Sequence, residues 1–283
     1  MSNRTAVITG ATDGIGRAVT IGLAALEYDL ILIVRNPAKG QKLEEAVRDA
    51  HPRTQITFVP CDLTLLADAK KAGKAIQERF SSIDLLFQSA GIIPRNLVLT
   101  REGIEQSFAV SFLTRLLLIR ELLPLLLKSP DKLLLTVASP QPGGNYPIRF
   151  EDINLQTTTF STYNTVRQFQ EANDVLAVEL RSVNGPVGLR NFCINPGLVN
   201  TGIQVGWPPL IRFFLTKIVG PFLMVEPEQS AQMILGFVNG SNKEEGPLIS
   251  NRGRTIDPVA RVLDQSYRKK FFEVCNALIA RAT

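Results

Sequence analysis

The chain is poor in the residues that bind metals and form disulfides: its 283 residues include three cysteines and one histidine. Cys61, Cys193 and Cys275 lie far apart, with no CxxC pair and no histidine nearby. We therefore expect reduced, mostly buried thiols in a reducing compartment. His51 precedes Pro52 in a polar stretch and is expected to lie exposed in a loop. These scarcities argue against a zinc site and a Ser-His-Asp triad, and no metal site is predicted.

The sequence also lacks long hydrophobic runs. No uninterrupted apolar run reaches the roughly 18 residues that a membrane span needs. Two stretches come close, 116–127 and 207–225, but charged residues and a proline interrupt each of them. The first residues lead directly into an apolar strand, without the pattern of a signal peptide. We expect a cytoplasmic protein with no membrane span.

Neither sign of charge dominates. The chain has 31 Lys+Arg and 26 Asp+Glu, a net charge of +5, and the charges are scattered along it. This pattern argues against a polybasic tail that binds nucleic acid, so no nucleic-acid partner is predicted. It is compatible with one basic pocket for an anionic ligand. Apolar residues make up 45% of the chain, which indicates a folded domain and not a disordered one.

Short apolar runs alternate with longer helical patterns along the whole chain. Continuous apolar runs predict six strands, at residues 5–9, 30–34, 57–59, 85–87, 133–137 and 189–194. Apolar positions at helical spacing predict five helices, at residues 16–27, 39–50, 65–80, 102–128 and 163–182. This alternation predicts an α/β fold, a single doubly wound Rossmann domain over residues 1–283 with a parallel sheet and helices on both faces.

A glycine-rich turn, TGATDGIG, joins the first predicted strand to the first helix. Gly10 permits the tight turn, Gly14 lets the backbone approach a pyrophosphate, and Gly16 lets helix and strand pack closely. The start of the helix presents free N–H groups to the phosphates. The candidate dinucleotide-binding residues of this turn are Gly10, Thr12, Asp13, Gly14, Ile15 and Gly16.

The residues after the second predicted strand indicate NADP(H) as the cofactor. An NAD enzyme usually places Asp or Glu there to bind the ribose hydroxyls. This chain has Arg35 and Asn36, followed by Lys39. A guanidinium can pair with a 2′-phosphate as a planar, bidentate donor, and Lys39 would add charge.

Asp62 and Leu63 follow the third predicted strand. The carboxylate of Asp62 is placed to hold the adenine amino group. Alternatively, it caps the helix that begins near residue 65. Both alternatives stay open on the sequence alone.

Together these motifs resemble the short-chain dehydrogenase/reductase family, and more narrowly its retinol-dehydrogenase-like branch. The resemblance covers nearly the whole chain. The matching features are the glycine turn, Arg35, residues 61–63, Ala90 and Gly91, Ser139, Tyr163, residues 196–201 and a C-terminal helix between residues 257 and 280.

The resemblance implies the catalytic residues. In the family a tyrosine protonates the substrate carbonyl while hydride arrives from the nicotinamide, a lysine four residues later lowers the pKa of the tyrosine, and a serine orients the carbonyl. Here the resemblance implies Tyr163 as the acid and Ser139 as the residue that orients the carbonyl. Further implied cofactor contacts are Tyr163 and Arg167, and the residues that follow the fourth and sixth strands: Ser89, Ala90, Gly91, Pro196, Val199 and Thr201.

Two residues depart from the family's active site. Arg167 stands where the lysine is expected; it keeps the positive charge and could contact the nicotinamide ribose, but it does not readily release a proton. Ser111 stands where an asparagine organises a water in the proton path, or it is a small polar residue packed against the sheet. We expect cofactor binding to survive these changes better than redox turnover.

Residues 201–226 are rich in Phe, Leu, Ile and Pro and are predicted to form a lid. Their apolar wall favours a lipophilic substrate. The same wall could bury a dimer contact, or lie on a membrane surface with Arg212 and Lys217 at its flanks. The long fourth helix, 102–128, is expected either in a homodimer or buried within the chain.

These observations lead first to an NADP(H)-dependent carbonyl reductase or alcohol dehydrogenase for a lipophilic small molecule. The second hypothesis is a non-redox step, such as cyclisation, isomerisation or elimination in natural-product biosynthesis. Arg167 and Ser111 motivate it, because they weaken the proton relay and leave Tyr163 and Ser139 available for acid/base work. A third is a nucleotide sensor or partner-binding protein without catalysis.

Overall fold

The fold was obtained as a computed structural model, which describes residues 4–138, 147–182, 185–199, 204–205 and 224–283. Two predicted site residues, Ser139 and Thr201, lie outside these ranges. So does most of the predicted lid at 201–226, of which only residues 204–205 and 224–226 are described.

The described strands are short, as expected for buried strands of a parallel sheet. They are β1 (Arg4–Thr9), β2 (Tyr28–Val34), β3 (Ile56–Pro60), β4 (Leu85–Gln88), β5 (Ile93–Pro94), β6 (Leu133–Val137), β7 (Arg190–Ile194), β8 (Gln204–Val205) and β9 (Leu248–Ile249).

The described helices alternate with the strands for most of the chain. They are α1 (Gly14–Ala25), α2 (Pro37–Ala50), α3 (Leu66–Arg79), α4 (Gln106–Phe108), α5 (Thr114–Leu126), α6 (Thr162–Leu180), α7 (Pro227–Val238), α8 (Ala260–Leu263) and α9 (Gln265–Ala282). A π-helical turn, Ala109–Leu113, joins α4 to α5, and a 3₁₀ turn, Phe150–Asp152, precedes α6.

Seven of the strands form one sheet in the order β3-β2-β1-β4-β6-β7-β9. Every neighbouring pair in this sheet is parallel, which confirms the predicted doubly wound α/β fold. The strand order reverses between β1 and β4. In open α/β sheets the crevice at such a reversal, beyond the carboxyl ends of the strands, is where ligands bind.

The sheet separates two hydrophobic cores. Along β1, Val7 points into the core shared with α3, α5, α6 and α9. Ala6 and Ile8 point into the core shared with α1, α2 and α7. Helices therefore cover both faces of the sheet, as predicted. This two-sided burial explains why the strands read as continuous apolar runs instead of alternating ones.

The prediction of one regular helix over residues 102–128 is wrong: the helix starts later, and a π-helical turn interrupts it. The helix begins at Gln106, where the carboxylate of Glu105 accepts the N–H groups of Ser107 and Phe108. Glu102 lies before it and caps a different helix. Its two carboxylate oxygens accept the N–H groups at the start of α3, at N···O distances of 2.7 and 3.1 Å.

The cap from Glu102 decides one open alternative. The alternative that Asp62 caps α3 is wrong, because its carboxylate accepts the backbone N–H and hydroxyl of Thr64 in the turn before the helix, at 3.0 and 2.9 Å. The N-cap residue of α3, Leu65, makes no capping hydrogen bond through its side chain. A partner more than 30 residues away supplies the cap instead.

The apolar face of α5 is buried within one chain. Leu116, Leu122 and Leu126 belong to the same core as Ile76 of α3 and Phe271 of α9. The intramolecular alternative for this helix is therefore the one that the structure shows. A homodimer through α5 would find this face already covered, and the oligomeric state stays a prediction.

Smaller expectations can be checked directly. The three cysteines are free and buried, as predicted. His51 is not in an exposed loop: it ends α2 and is half-buried.

The helices of the C-terminal part differ from the prediction. The predicted C-terminal helix is interrupted at Asp264, between α8 and α9, and α7 was not predicted at all. Within the described ranges, no helix combines the length and the apolar character needed to cross a bilayer.

Candidate functional site

The glycine turn between β1 and α1 contains two residues with positive φ, a backbone conformation that favours glycine. Gly10 has φ +72°, and Gly14 has φ +47°. A Cβ at Gly10 would lie 2.6 Å from the backbone nitrogen of Ala90, and one at Gly16 would lie 1.9 Å from the carbonyl oxygen of Gly10. The turn is thus held close to the loop after β4, on the carboxyl edge of the sheet.

Replacing Gly10 with alanine should be far more damaging than the same change at Gly103. Both glycines have nearly the same backbone conformation, φ +72° and +71°, but a Cβ at Gly103 would meet no atom within 4 Å. Gly103→Ala therefore carries the left-handed strain alone, about 1–2 kcal/mol. Gly10→Ala adds the clash with Ala90 and should cost about 3 kcal/mol or more. Urea denaturation of both variants measures the difference; equal losses would contradict it.

The start of α1 is capped by Asp13, whose carboxylate accepts the N–H of Gly14 at 2.9 Å. The other carboxylate oxygen pairs with the Lys39 ammonium at 3.4 Å, and both side chains are more than half exposed. Lys39, predicted to add charge at the 2′-phosphate, thus lies beside the turn. Its neighbours in the predicted set differ in burial: Thr12 is half-buried and Ile15 is buried in the core.

Arg35 and Asn36 follow β2 at the same edge, and both are exposed. The side-chain oxygen of Asn36 caps α2 by accepting the N–H groups of Ala38 and Lys39. None of the ion pairs among the described residues involves the Arg35 guanidinium. Two exposed cations, glycine backbone and a helix N-terminus therefore fit an anionic dinucleotide such as NADP(H).

Asp62 and Leu63 lie half-buried after β3. The Asp62 carboxylate faces Thr64, as described above, and its predicted contact with an adenine amino group stays a prediction. The side chain of Leu63 packs against the core shared by α3 and α5, so only its backbone is placed to meet a cofactor.

The loop after β4 is fastened to β1. The backbone N–H of Ser89 donates to the Thr9 carbonyl at 3.2 Å, and the N–H of Ala90 donates to the Thr9 hydroxyl at 3.4 Å. Gly91 continues the loop and is half-buried. The predicted contacts from the first and fourth strands are therefore adjacent in space.

Ser111 lies in the π-helical turn and is 1% exposed. Its hydroxyl accepts the backbone N–H of Ile92 at 3.3 Å, and its carbonyl accepts the side-chain amide of Asn173 at 3.0 Å. These contacts tie the loop after β4 to α6. They match the expectation of a small polar residue in packing; a part in proton transfer stays a prediction.

Arg115, which is not among the predicted site residues, is 5% exposed. Its guanidinium donates to the carbonyl oxygens of Ala90 at 2.6 Å and Val137 at 2.8 Å, and to the side-chain oxygen of Asn173 at 3.2 Å. No carboxylate among the described residues pairs with it. A charged residue inside an apolar helical run was the available signal.

Burial lowers the pKa of Arg115 to about 10. The guanidinium is therefore still a cation at neutral pH, compensated by carbonyl dipoles at the ends of β4 and β6. Cys193 is also buried, and this burial, with Asp174 nearby, raises the pKa of its thiol well above the usual range. Cys193 is consequently a buried neutral thiol and not a nucleophile.

Tyr163 and Arg167 lie on one face of α6, as their spacing predicts. The guanidinium carbon of Arg167 is 4.4 Å from the centre of the Tyr163 ring. Tyr163 is 52% exposed, whereas Arg167 is half-buried. The preceding residue, Thr162, donates its hydroxyl to the Pro94 carbonyl at 3.1 Å. That bond connects the start of α6 to the segment after β4.

The segment after β7 completes the described edge. The carbonyl of Pro196 accepts the Ser230 hydroxyl at 2.8 Å, and Gly197 has φ +84°. Val199 is buried and forms a parallel bridge with Val225. The edge therefore brings together the predicted residues that follow β1, β2, β4 and β7, and Thr162, the residue before Tyr163, joins α6 to the segment after β4.

A comparison with known protein families shows which family the chain belongs to. The pattern of the family described as short chain dehydrogenase matches residues 4–149, which is half of the chain. The chain belongs to the short-chain dehydrogenase family. Membership of this family supports the assignment of the chain as an oxidoreductase, and therefore as an enzyme. The match ends before Tyr163 and Arg167, so the short-chain dehydrogenase pattern itself covers the cofactor half and Ser139 but not these two residues.

Individual short-chain dehydrogenase relatives are distant. The human 3-keto-steroid reductase/17-beta-hydroxysteroid dehydrogenase 7 is 27% identical over 94% of this chain and 91% of its own. Human polyprenol dehydrogenase is 24% identical over 81% of this chain and 70% of its own. Among solved structures, an alcohol dehydrogenase from Thermococcus sibiricus, complexed with 5-hydroxy-NADP, superposes with a TM-score of 0.64 at 18% identity, over 90% of this chain and 99% of its own. That likeness shows the shared fold.

Proposed function

We propose that this short-chain dehydrogenase is an NADP(H)-dependent carbonyl reductase or alcohol dehydrogenase that acts on a lipophilic small molecule. The observation that carries the proposal is the exposed phenol of Tyr163 under the guanidinium of Arg167. The helix that carries this pair is joined to the segment after β4 by the hydrogen bond from Thr162 to Pro94. We further propose that residues 1–283 form a single domain, with a lid at 201–226.

The preference for NADP(H) rests on Arg35. When bound, the nucleotide would supply or accept the hydride. The exposed guanidinium after β2 would bind a 2′-phosphate, and Lys39 would reach the same phosphate by leaving Asp13, 3.4 Å away. Because both partners of that ion pair are exposed, exchanging one anion for another costs little. The NADP analogue in the structure of the archaeal relative supports the same class of cofactor.

In the proposed reaction Tyr163 transfers a proton to or from the substrate oxygen. General acid/base work of this kind needs a hydroxyl held in place beside the substrate oxygen. Arg167 would supply a cation at the ring face, while Ser139 would orient the substrate carbonyl. Arg115 would hold the ends of β4 and β6 on which the loops around the substrate depend.

The proposed substrate class rests on two observations. The predicted lid is apolar and offers few polar groups, which suits a lipophilic ligand. The human relatives are named for steroid and polyprenol chemistry, both of which concern lipophilic molecules. Oxidoreductase names among these relatives support a redox step; neither is named for a non-redox reaction.

The test is NADPH consumption by purified protein with a panel of steroid, long-chain and aromatic ketones, and NADP⁺ reduction with the matching alcohols. We expect NADPH oxidation with at least one lipophilic ketone, and little with short hydrophilic ones. NADPH binding without turnover of any ketone or alcohol would contradict the redox proposal and favour the non-redox hypothesis instead.

Arg167→Lys should raise turnover in the same assay by about tenfold. An ammonium is compact and can shed a proton, whereas the guanidinium of Arg167 occupies the ring face of Tyr163 and cannot. Arg17→Lys, an exposed change on α1, serves as the control. A loss of turnover in Arg167→Lys would show instead that the guanidinium itself is required.

A further inference from the structure

We propose that the C-terminal helices position the substrate side of the active site, through a brace formed by Glu171, Arg261 and Tyr267. The inference rests on the proposed function, because it concerns the positioning of Tyr163 and its surroundings. The brace lies beyond the residues that the family pattern matches, 4–149. It is therefore a feature of this chain's own C-terminal half.

The brace begins on the helix that carries the catalytic pair. Tyr163, Arg167 and Glu171 follow one another at intervals of four, so they share a face of α6. Glu171 is 7% exposed, and Arg261 grips both of its carboxylate oxygens, at 2.9 Å from Nε and 2.5 Å from Nη2. A bidentate pair with a largely buried carboxylate fixes orientation as well as distance.

Tyr267 of α9 extends the grip to a third segment. Its hydroxyl donates to the Glu171 carboxylate at 2.5 Å and accepts the backbone N–H of Ile148 at 2.9 Å. Burial raises the pKa of Tyr267, so the hydroxyl keeps its proton throughout the neutral range. One side chain thus joins α6, α9 and the residues that precede the 3₁₀ turn.

The joined segment, 147–153, is held from both sides. From α6, Gln168 accepts the N–H of Arg149 at 3.3 Å and donates to the Ile153 carbonyl at 2.7 Å. From α9, the ring of Tyr267 lies 5.1 Å from that of Phe150. This segment is the first described part of the chain after β6 and Ser139, and it lies against α6 one turn beyond Tyr163.

The cofactor half has no member in this brace. The loop after β4 is fastened by other contacts, to Thr9 and Arg115, and the glycine turn by the ion pair between Asp13 and Lys39. Loosening the brace should therefore alter the handling of substrate and leave the binding of NADPH nearly unchanged. Tyr163, Arg167 and the brace would act as a unit, because all are attached to the same face of α6.

Tyr267→Phe removes the bridging hydroxyl and keeps the ring against Phe150. We expect kcat/KM for the ketone to fall about fivefold, with the Kd for NADPH unchanged within about twofold. Amide hydrogen exchange in residues 147–153 should accelerate about fivefold, whereas exchange in β1 and β4 stays as in the parent protein. Tyr28→Phe, which removes a buried phenol oxygen at the opposite edge of the sheet, should leave all three quantities unchanged.

Unchanged exchange at 147–153 in Tyr267→Phe would overturn the proposal, and so would an equal weakening of NADPH binding. Glu171→Gln is a second variant with nearly the same volume and should accelerate exchange in the same segment. If the parent protein oxidises no NADPH with any ketone, the proposed function fails by itself. The exchange measurements then still decide whether the brace holds 147–153 to α6.

Discussion

Tyr163→Phe is expected to lower kcat for ketone reduction by about 10²- to 10⁴-fold, because it removes the only group proposed to give the substrate oxygen its proton. The ring and its contact with the Arg167 guanidinium, 4.4 Å away, are kept. NADPH affinity should change less than about twofold, since the phosphate-binding residues are untouched. Steady-state kinetics and NADPH fluorescence titration measure the two effects separately.

Tyr28→Phe serves as the control for Tyr163→Phe. Its ring is buried at the start of β2, under the guanidinium of Arg4, and far from the carboxyl edge. It should keep the parent kcat. If Tyr163→Phe also kept kcat within about threefold, Tyr163 would not be the proton donor, and acid/base chemistry would have to be sought elsewhere on the edge.

Arg35→Asp is expected to weaken NADPH binding by about 100-fold, because it removes a bidentate donor to the 2′-phosphate and places a negative charge beside it. NADH binding should stay the same or improve, since a carboxylate at this point can accept from the ribose hydroxyls. The ratio of kcat/KM for the two nucleotides measures the change in preference.

The matched control for Arg35→Asp is Arg53→Asp. Both arginines are exposed, and both substitutions change the charge by the same amount. Arg53 precedes β3 and so lies at the amino edge of the parallel sheet, opposite Arg35. Arg53→Asp should therefore leave the preference between NADPH and NADH unchanged. An unaltered nucleotide preference in Arg35→Asp would show that another group reads the ribose.

The parallel sheet and its two helical layers were predictable because the information is local. Runs such as residues 30–34 must be covered on both faces, and helices that alternate with parallel strands provide that cover. The prediction of the fourth helix failed at its start, because Glu102 caps a helix that is distant in sequence. Glu102 belongs in sequence to the approach to α4, yet its carboxylate closes the start of α3. No local pattern distinguishes such a carboxylate from a helix residue.

The site was predictable to a similar extent. The glycine turn and the spacing of Tyr163 and Arg167 follow from motif and helix geometry. Arg115 was missed because two of its partners are backbone carbonyls, of Ala90 in the loop after β4 and of Val137 at the end of β6, and such carbonyls carry no sequence signature. Glu171 and Arg261 were missed because their pairing depends on how the C-terminal helices dock, 90 residues farther along the chain.

A crystal structure of the protein with NADP⁺ bound is the most direct test of the proposed site. The proposed site predicts the 2′-phosphate within hydrogen-bond distance of the Arg35 guanidinium, the pyrophosphate against the turn at Gly10 and Gly14, and the nicotinamide beside the Tyr163 phenol. A crevice filled by the protein's own side chains, or a nucleotide bound away from Tyr163, would contradict it.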